Sequence, residues 1–403
     1  MSLIDKANAV KELLTRGVVN LIPGLTEFES VLMSSKKLNV YLGIDPTATR
    51  IHLGHAVNLR KLQAFIELGH RVIFLVGDFT ARVGDNSDKE SGERPILTKE
   101  EIENNFHTYK QQAEKILDFS RAELRYNSEW LAPLTFAEVL KLCQQFSLND
   151  YLSREIMKKK LETGVSIRLD EVLYPIMQGY DSYFMDTDIQ VGGADQTFNM
   201  QAGRALQKRL RSKESFVLVN DYLLGTDSRK MSKSWDNAIW LTDSSEEMFG
   251  KTMSLKDELI ESYFVLGTNV PWQRVVEVKK RLKTNENPII LKKELALAIV
   301  SEFHGEKAAK TAQARFEKQY QERSLTGIEI PLVEIDSSLR NIIDILVLAK
   351  IAESKAAARS LIKDGAVQKM VQDKFVKCDR LSEVSDNEVL KSGRSLVRIH
   401  FKE

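Results

Sequence analysis

Two short apolar runs, Asn39-Val-Tyr-Leu-Gly-Ile-Asp45 and Arg71-Val-Ile-Phe-Leu-Val-Gly77, bracket a stretch from His52 to Leu68 whose apolar side chains recur at helical spacing. Runs this apolar leave no wet face and suit strands buried on both sides. A helix joining two such strands acts as a crossover, and a crossover makes the strands parallel. The N-terminal half is therefore expected to be an α/β domain around a parallel sheet. Further strands are expected around Asp188-Ile-Gln-Val191 and Phe216-Val-Leu-Val219. Thr98 followed by Glu101 has the form of a capping box that starts another long helix.

The rest of the chain reads differently. From about Ser244 to Arg323 helical patterns follow one another with no good strand candidate, which predicts an all-α domain over 244–324. Residues 325–337, with Gly327 and Pro331, read as a linker, and 338–403 as a small α+β module. At 403 residues, two or three domains are expected. Two distant cysteines, Cys143 and Cys378, exclude a disulfide framework and a cysteine zinc site and suit a reducing cytoplasm. No apolar run reaches membrane-spanning length, and the first residues lack a signal-peptide core. With a net charge of +1, any nucleic-acid partner must be met by local basic patches.

Three clusters carry chemistry. Tyr41-Leu-Gly-Ile-Asp-Pro-Thr-Ala-Thr-Arg-Ile-His-Leu-Gly-His55 lies where a strand ends and a helix begins, the place where α/β sheets bind ligands. A helix N-terminus offers unpaired N–H groups to phosphate. His52 and His55, three apart, can face one ligand, and Gly54 leaves room for a flat group beside the backbone. The second cluster, Lys230-Met-Ser-Lys-Ser234 after Gly225-Thr-Asp-Ser-Arg229, is a cationic loop suited to a polyphosphate. In the third, Tyr174, Gln178 and Asp181 fall on one helical face among apolar neighbours, and Gly192-Gly-Ala-Asp195-Gln196 follows soon after.

Together these motifs resemble the class I aminoacyl-tRNA synthetases, whose signatures are His-x-Gly-His and Lys-Met-Ser-Lys-Ser. Tyr174-x-x-x-Gln178-x-x-Asp181 and the Gly-Gly-x-Asp-Gln segment resemble the tyrosyl-tRNA synthetases in particular. The resemblance implies a Rossmann-like catalytic domain over 1–243, with a connective insertion and the lysine loop. It also implies activation of L-tyrosine by ATP with Mg²⁺, transfer to tRNA(Tyr), a homodimer, and no metal held by the protein itself. Tyr41 and Asp181 would then hold the phenolic hydroxyl of the substrate, and Tyr174, Gln178 and Asp85 its α-ammonium group. Gln196 would lie near the carboxylate, and Asp195 and Gly193 near the ATP ribose. Gly43, Asp45, Thr47, His52, Gly54 and His55 would line the ATP site, with Lys230, Met231, Ser232 and Lys233 on the pyrophosphate side.

Ile351-Ala-Glu-Ser-Lys-Ala-Ala-Ala-Arg359-Ser-Leu-Ile-Lys-Asp-Gly-Ala-Val367 resembles the S-four-like RNA-binding domain that ends many bacterial tyrosyl-tRNA synthetases. Lys355, Arg359 and Lys363 recur every four residues, and 338–403 holds thirteen lysines and arginines against nine acids, a balance suited to phosphate contacts. By the same resemblance, the helices of 244–324 would read the anticodon. The alternatives are a tryptophan–tRNA ligase, a catalytically inactive RNA-binding relative and a nucleotidyltransferase that uses no tRNA.

Overall fold

In a computed structural model, residues 2–84, 97–231, 235–284, 286–318, 330–337, 339–371, 374–393 and 395–402 are described. They form two compact units, one of residues 1–244 and 251–306, the other of 245–250 and 307–403.

The first unit is built on a six-stranded sheet of β1 (Val18–Ile22), β2 (Asn39–Ile44), β3 (Arg71–Val76), β4 (Ala122–Tyr126), β5 (Ile189–Gly193) and β6 (Phe216–Asn220). Their order is β1-β6-β5-β2-β3-β4. Five strands are parallel, and only β1 runs antiparallel, along β6. The four strands anticipated from apolar runs are all present. β1 and β4 were not anticipated, and both are edge strands without an uninterrupted apolar run. Glu123 and Arg125 on β4 are the kind of charged residues that protect a sheet edge from further pairing.

From β2 the chain steps outward to β3 and β4, then returns to β5 on the other side of β2. This reversal opens a crevice beyond the carboxyl ends of β2 and β5, the position where such sheets bind ligands. The helix Leu53–Glu67 links β2 to β3, and Thr98 and Glu101 form the expected reciprocal cap on the helix Lys99–Ala113.

The helix Leu169–Phe184 contains Pro175, which cannot donate to the carbonyl of Glu171. The Tyr151 hydroxyl takes up that carbonyl at 3.1 Å, so the helix continues through the proline without leaving a buried acceptor unpaired. Gly179 lets this helix approach the helix Thr197–Arg211, because a Cβ there would stand 3.1 Å from the Ala202 backbone.

Helices follow one another over 245–283 and 288–316, but the stretch expected as one all-α domain is divided: the helices Ile260–Leu266, Trp272–Lys283 and Pro288–His304 belong to the first unit, and 307–316 to the second. In the second unit, β7 (Leu332–Asp336), β8 (Val367–Val371), β9 (Lys374–Lys377), β10 (Val389–Ser392) and β11 (Ser395–Lys402) form a sheet in the order β7-β11-β10-β8-β9. Part of the expected linker is thus the edge strand β7, parallel to β11, in which only Ile335 is fully buried. One buried residue in five is too weak a signal beside Pro331, although Pro suits the start of an edge strand. Ile335 joins Ile342, Ile345, Ile362, Leu390 and Ile399 in the core under the helices Ile342–Leu348 and Lys355–Lys363.

Candidate active site

The crevice at the sheet reversal is a cavity of about 400 Å³. Tyr41, Gly43, Asp45, Thr47, His52, Gly54, His55, Tyr174, Gln178, Asp181, Gly193, Asp195, Gln196, Lys230 and Met231 all line it. Asp85, Ser232 and Lys233 lie outside the described residues.

One wall is a continuous hydrogen-bonded chain. Asp45, just past the end of β2, accepts from the Tyr174 hydroxyl at 2.9 Å through Oδ2 and from Thr80 at 2.8 Å through Oδ1. Both amide hydrogens of Asn127 are used, one on Thr80 at 3.0 Å and one on Asp181 Oδ2 at 3.2 Å. Trp130 Nε1 donates to Asp181 Oδ1 at 2.7 Å. Buried polar groups left without a partner are costly, so this chain of hydrogen bonds holds the Asp45 and Asp181 side chains in place. The Tyr174 hydroxyl, expected beside the substrate's ammonium group, is oriented by its bond to Asp45.

Tyr41, also lining the cavity and buried, donates to Gln190 Oε1 at 3.2 Å, while Gln190 donates to the Met200 carbonyl at 2.9 Å. Gly203 makes room for Gln190, since a Cβ there would sit 2.6 Å from its Oε1. Burial pushes the Asp181 carboxyl up to about 8, against the pull of Trp130 and Asn127. Burial and the nearby Asp181 likewise raise the Tyr41 phenol.

The two imidazoles pack with ring centres 4.0 Å apart. The backbone N–H of His52 donates to Nδ1 of His55 at 3.3 Å, which leaves the proton of a neutral His55 on Nε2. Burial lowers His55 to about 4. It also depresses His52, helped by His55 and Lys230. Both rings are therefore neutral near pH 7. Among the described residues, Nδ1 of His52 is buried with no hydrogen-bond partner.

Lys230 leaves a tight turn in which Leu224 bridges Lys230 and Gly225 N–H donates to the Arg229 carbonyl at 2.7 Å. The buried Asn237 side chain closes it by donating to Asp227 at 2.8 Å and to the Lys230 carbonyl at 3.1 Å. Next along the chain, Ile239–Leu241 runs against Ile51–Leu53: Leu53 N–H donates to Ile239 at 2.8 Å and Leu241 N–H to Ile51 at 3.0 Å. The histidines and the lysine turn, remote in sequence, are stitched together by backbone.

Gly77, Thr80, Asn127, Trp130 and Gln190 were not anticipated. Gly77 and Thr80 follow the end of β3, a position that could have drawn attention, whereas Asn127 and Trp130 follow β4, which the pattern did not reveal. A Cβ on Gly77 would stand 2.0 Å from Asp45 Oδ1 and 2.4 Å from Thr80 Oγ1. Gly77→Ala is accordingly expected to displace Asp45 and lower ligand affinity about tenfold, from the loss of one or two such bonds. Isothermal titration against the parent protein measures the loss; unchanged affinity would mean Asp45 does not organise the cavity.

In the second unit, Lys355, Arg359 and Lys363 are exposed on their helix, beside the face that buries Ala358 and Ile362. Lys355 is paired with Asp344 at 2.6 Å.

A polar crevice at a sheet reversal, with neutral imidazoles at a helix start and a lysine turn stitched beside them, has the makings of an α/β nucleotide-binding enzyme. The family of class I tRNA synthetases for tryptophan and tyrosine matches residues 33–321, and the chain belongs to it. The tyrosine–tRNA ligase of Thermotoga maritima is 43% identical over 358 residues, 88% of each chain. That of Dehalococcoides mccartyi is 37% identical over 390 residues, 96% of this chain and 97% of the relative. In fold, a C-terminally truncated mitochondrial tyrosyl-tRNA synthetase of Aspergillus nidulans superposes with a TM-score of 0.64 at 22% identity, covering 79% of this chain and 98% of that one.

Proposed function

We infer that this chain is a tyrosine–tRNA ligase. It activates L-tyrosine with ATP and transfers it to the 3′-terminal adenosine of tRNA(Tyr). The observation that carries this reading is that Tyr41 and Asp181 face the same cavity as the two histidines and Lys230. A phenol both donates and accepts a hydrogen bond, whereas the indole of tryptophan only donates. A site with two hydroxyl-binding groups therefore favours tyrosine over tryptophan, and over phenylalanine, which has no hydroxyl to replace the water those groups give up. Tyrosine-dependent exchange of pyrophosphate into ATP tests the reading; exchange dependent on tryptophan alone would overturn it.

In the first step a carboxylate oxygen of tyrosine attacks the α-phosphorus of ATP, and pyrophosphate leaves with the bonding electron pair. No protein nucleophile is needed, so the residues align the reactants and stabilise charge. Tyr174, Gln178 and Asp85 hold the ammonium group, with Asp45 as the fixed partner of Tyr174. Gln196 faces the carboxylate, and Asp195 and Gly193 the ribose. Gly43, Thr47, Gly54, Met231 and Ser232 shape the ATP site. His52, His55, Lys230 and Lys233 meet the phosphates, with the neutral His55 donating through Nε2.

Among the described residues no group of three or more His, Cys, Asp or Glu is placed to hold a metal. Mg²⁺ suits entry as the counter-ion of the triphosphate, a mode in which phosphate oxygens and water supply most ligands. In the second step a ribose hydroxyl of the tRNA attacks the tyrosyl carbonyl, and AMP leaves.

The RNA is met by Lys355, Arg359 and Lys363 in the terminal module and by the helices of 244–324 at the anticodon. Removal of residues 324–403 is expected to leave pyrophosphate exchange intact and to impair charging of tRNA, measured with labelled tyrosine. Undiminished charging would dismiss the tail as an RNA contact. The chain works in the cytoplasm as a homodimer. Support for pairing comes from exposed Phe136, Leu140, Leu169 and Phe184 on the helices Phe136–Cys143 and Leu169–Phe184.

A further inference from the structure

The short helix Ile260–Leu266 is held at both ends by the elements that carry the two signatures. Its last carbonyls have no partner within the helix and must be met from outside. Arg60, on the same helix as His55, donates to the Leu266 carbonyl at 2.8 Å and to Gly267 at 3.1 Å, while Glu302 holds its guanidinium at 2.9 and 3.0 Å. Arg16 donates to the carbonyls of Phe264, Val265, Thr268 and Val270. On the other side, the hydroxyl of the fully buried Tyr263 donates to the Leu224 carbonyl at 2.7 Å, at the base of the lysine turn. Ser228, at the tip of that turn with φ of +72°, donates to Glu258 at 2.6 Å, in the single turn Asp257–Leu259 that leads into the helix.

We propose that the helix Ile260–Leu266 sets the distance between the histidine helix and the lysine turn, with Tyr263 as the residue that positions Lys230. The proposal rests on reading Lys230 as the cation on the pyrophosphate side. Tyr263 lies outside the cavity and touches no substrate group, so it acts only through the turn. A cationic group that stabilises a transition state is sensitive to small displacements, because only well-placed donors contribute. Ser228 and Glu258 act in the same way on the far side of the turn.

The test is a double-mutant cycle on the rate of tyrosyl-adenylate formation in the full-length protein. Tyr263→Phe keeps the ring and its packing and removes only the bond to Leu224. It is expected to slow adenylate formation about three- to tenfold while the Kd for tyrosine stays unchanged. In a Lys230→Ala background the same substitution is expected to cost nothing further. Ser228→Ala, at the surface of the turn, is expected to repeat the pattern, and Glu258→Gln, which keeps an acceptor, to retain the parent rate. An equal loss with and without Lys230, or a parallel loss of tyrosine affinity, would reduce Tyr263 to a structural role and overturn the proposal. If Lys230→Ala itself leaves the rate untouched, the assignment of Lys230 fails. If it slows the reaction and Tyr263→Phe does not, only the positioning inference fails.

Discussion

Asp181→Ala is expected to weaken tyrosine binding roughly tenfold or more, the range for leaving the buried phenolic hydroxyl without its partner in a dry site. Phenylalanine has no hydroxyl to lose, so its weaker binding is expected to stay nearly constant. Equilibrium dialysis with both amino acids reads the difference, and equal losses would remove Asp181 from the hydroxyl site. The same carboxyl leaves a mark on the free protein. Its value of about 8 lies above the ordinary 3.8, so folding favours the neutral form. The stability this provides is fully present below pH 3.8 and is lost as the pH rises through 8. Between pH 7 and 9 the melting temperature of the parent is expected to fall more steeply than that of Asp181→Asn, which cannot ionise.

His55→Ala is expected to slow adenylate formation about 100-fold with little change in tyrosine affinity, as when one preorganised donor to a developing charge is removed. On the proposed role of His55 as a neutral donor through Nε2, His55→Gln, whose amide N–H reaches a similar position, is expected to recover part of the rate. A residue acting as a cation would not be rescued in this way. The pH dependence has a definite sign. The folded value of about 4 lies below the ordinary 6.5, so the unfolded chain binds the proton more readily. The associated stability is present above pH 6.5 and is lost as the pH falls from there toward 4. The rate between pH 7 and 8 is expected to carry no inflection from this ring. Such an inflection, absent in His55→Gln, would contradict the neutral assignment.

The parallel core of the first sheet was legible because β2 and β3 are buried on both faces and leave continuous apolar runs. β1, β4 and β7 have no such runs, since edge strands bury little and carry polar residues. The candidate site divides along the same line. His52, His55, Lys230, Tyr174, Gln178 and Asp181 occur in compact motifs, where spacing alone places several groups together. Thr80, Asn127, Trp130 and Gln190 are single polar residues on separate elements, and what makes them matter is convergence on Asp45, Asp181 and Tyr41. Their contribution is a matter of long-range geometry that no local window contains. The tie between Tyr174 and Asp45 is of the same kind: the helical spacing put Tyr174 on the cavity face, but the partner of its hydroxyl comes from the end of β2.

The pairing of Ile51–Leu53 with Ile239–Leu241 has a bearing on how such a chain can vary. Because backbone amides and carbonyls make the join, it places little demand on side-chain identity. The separation of the histidine helix and the lysine turn is likewise independent of how much chain is looped out between them. Growth, trimming or redesign of the intervening chain can then change the surroundings of the cavity while the histidine helix and the lysine turn keep their spacing.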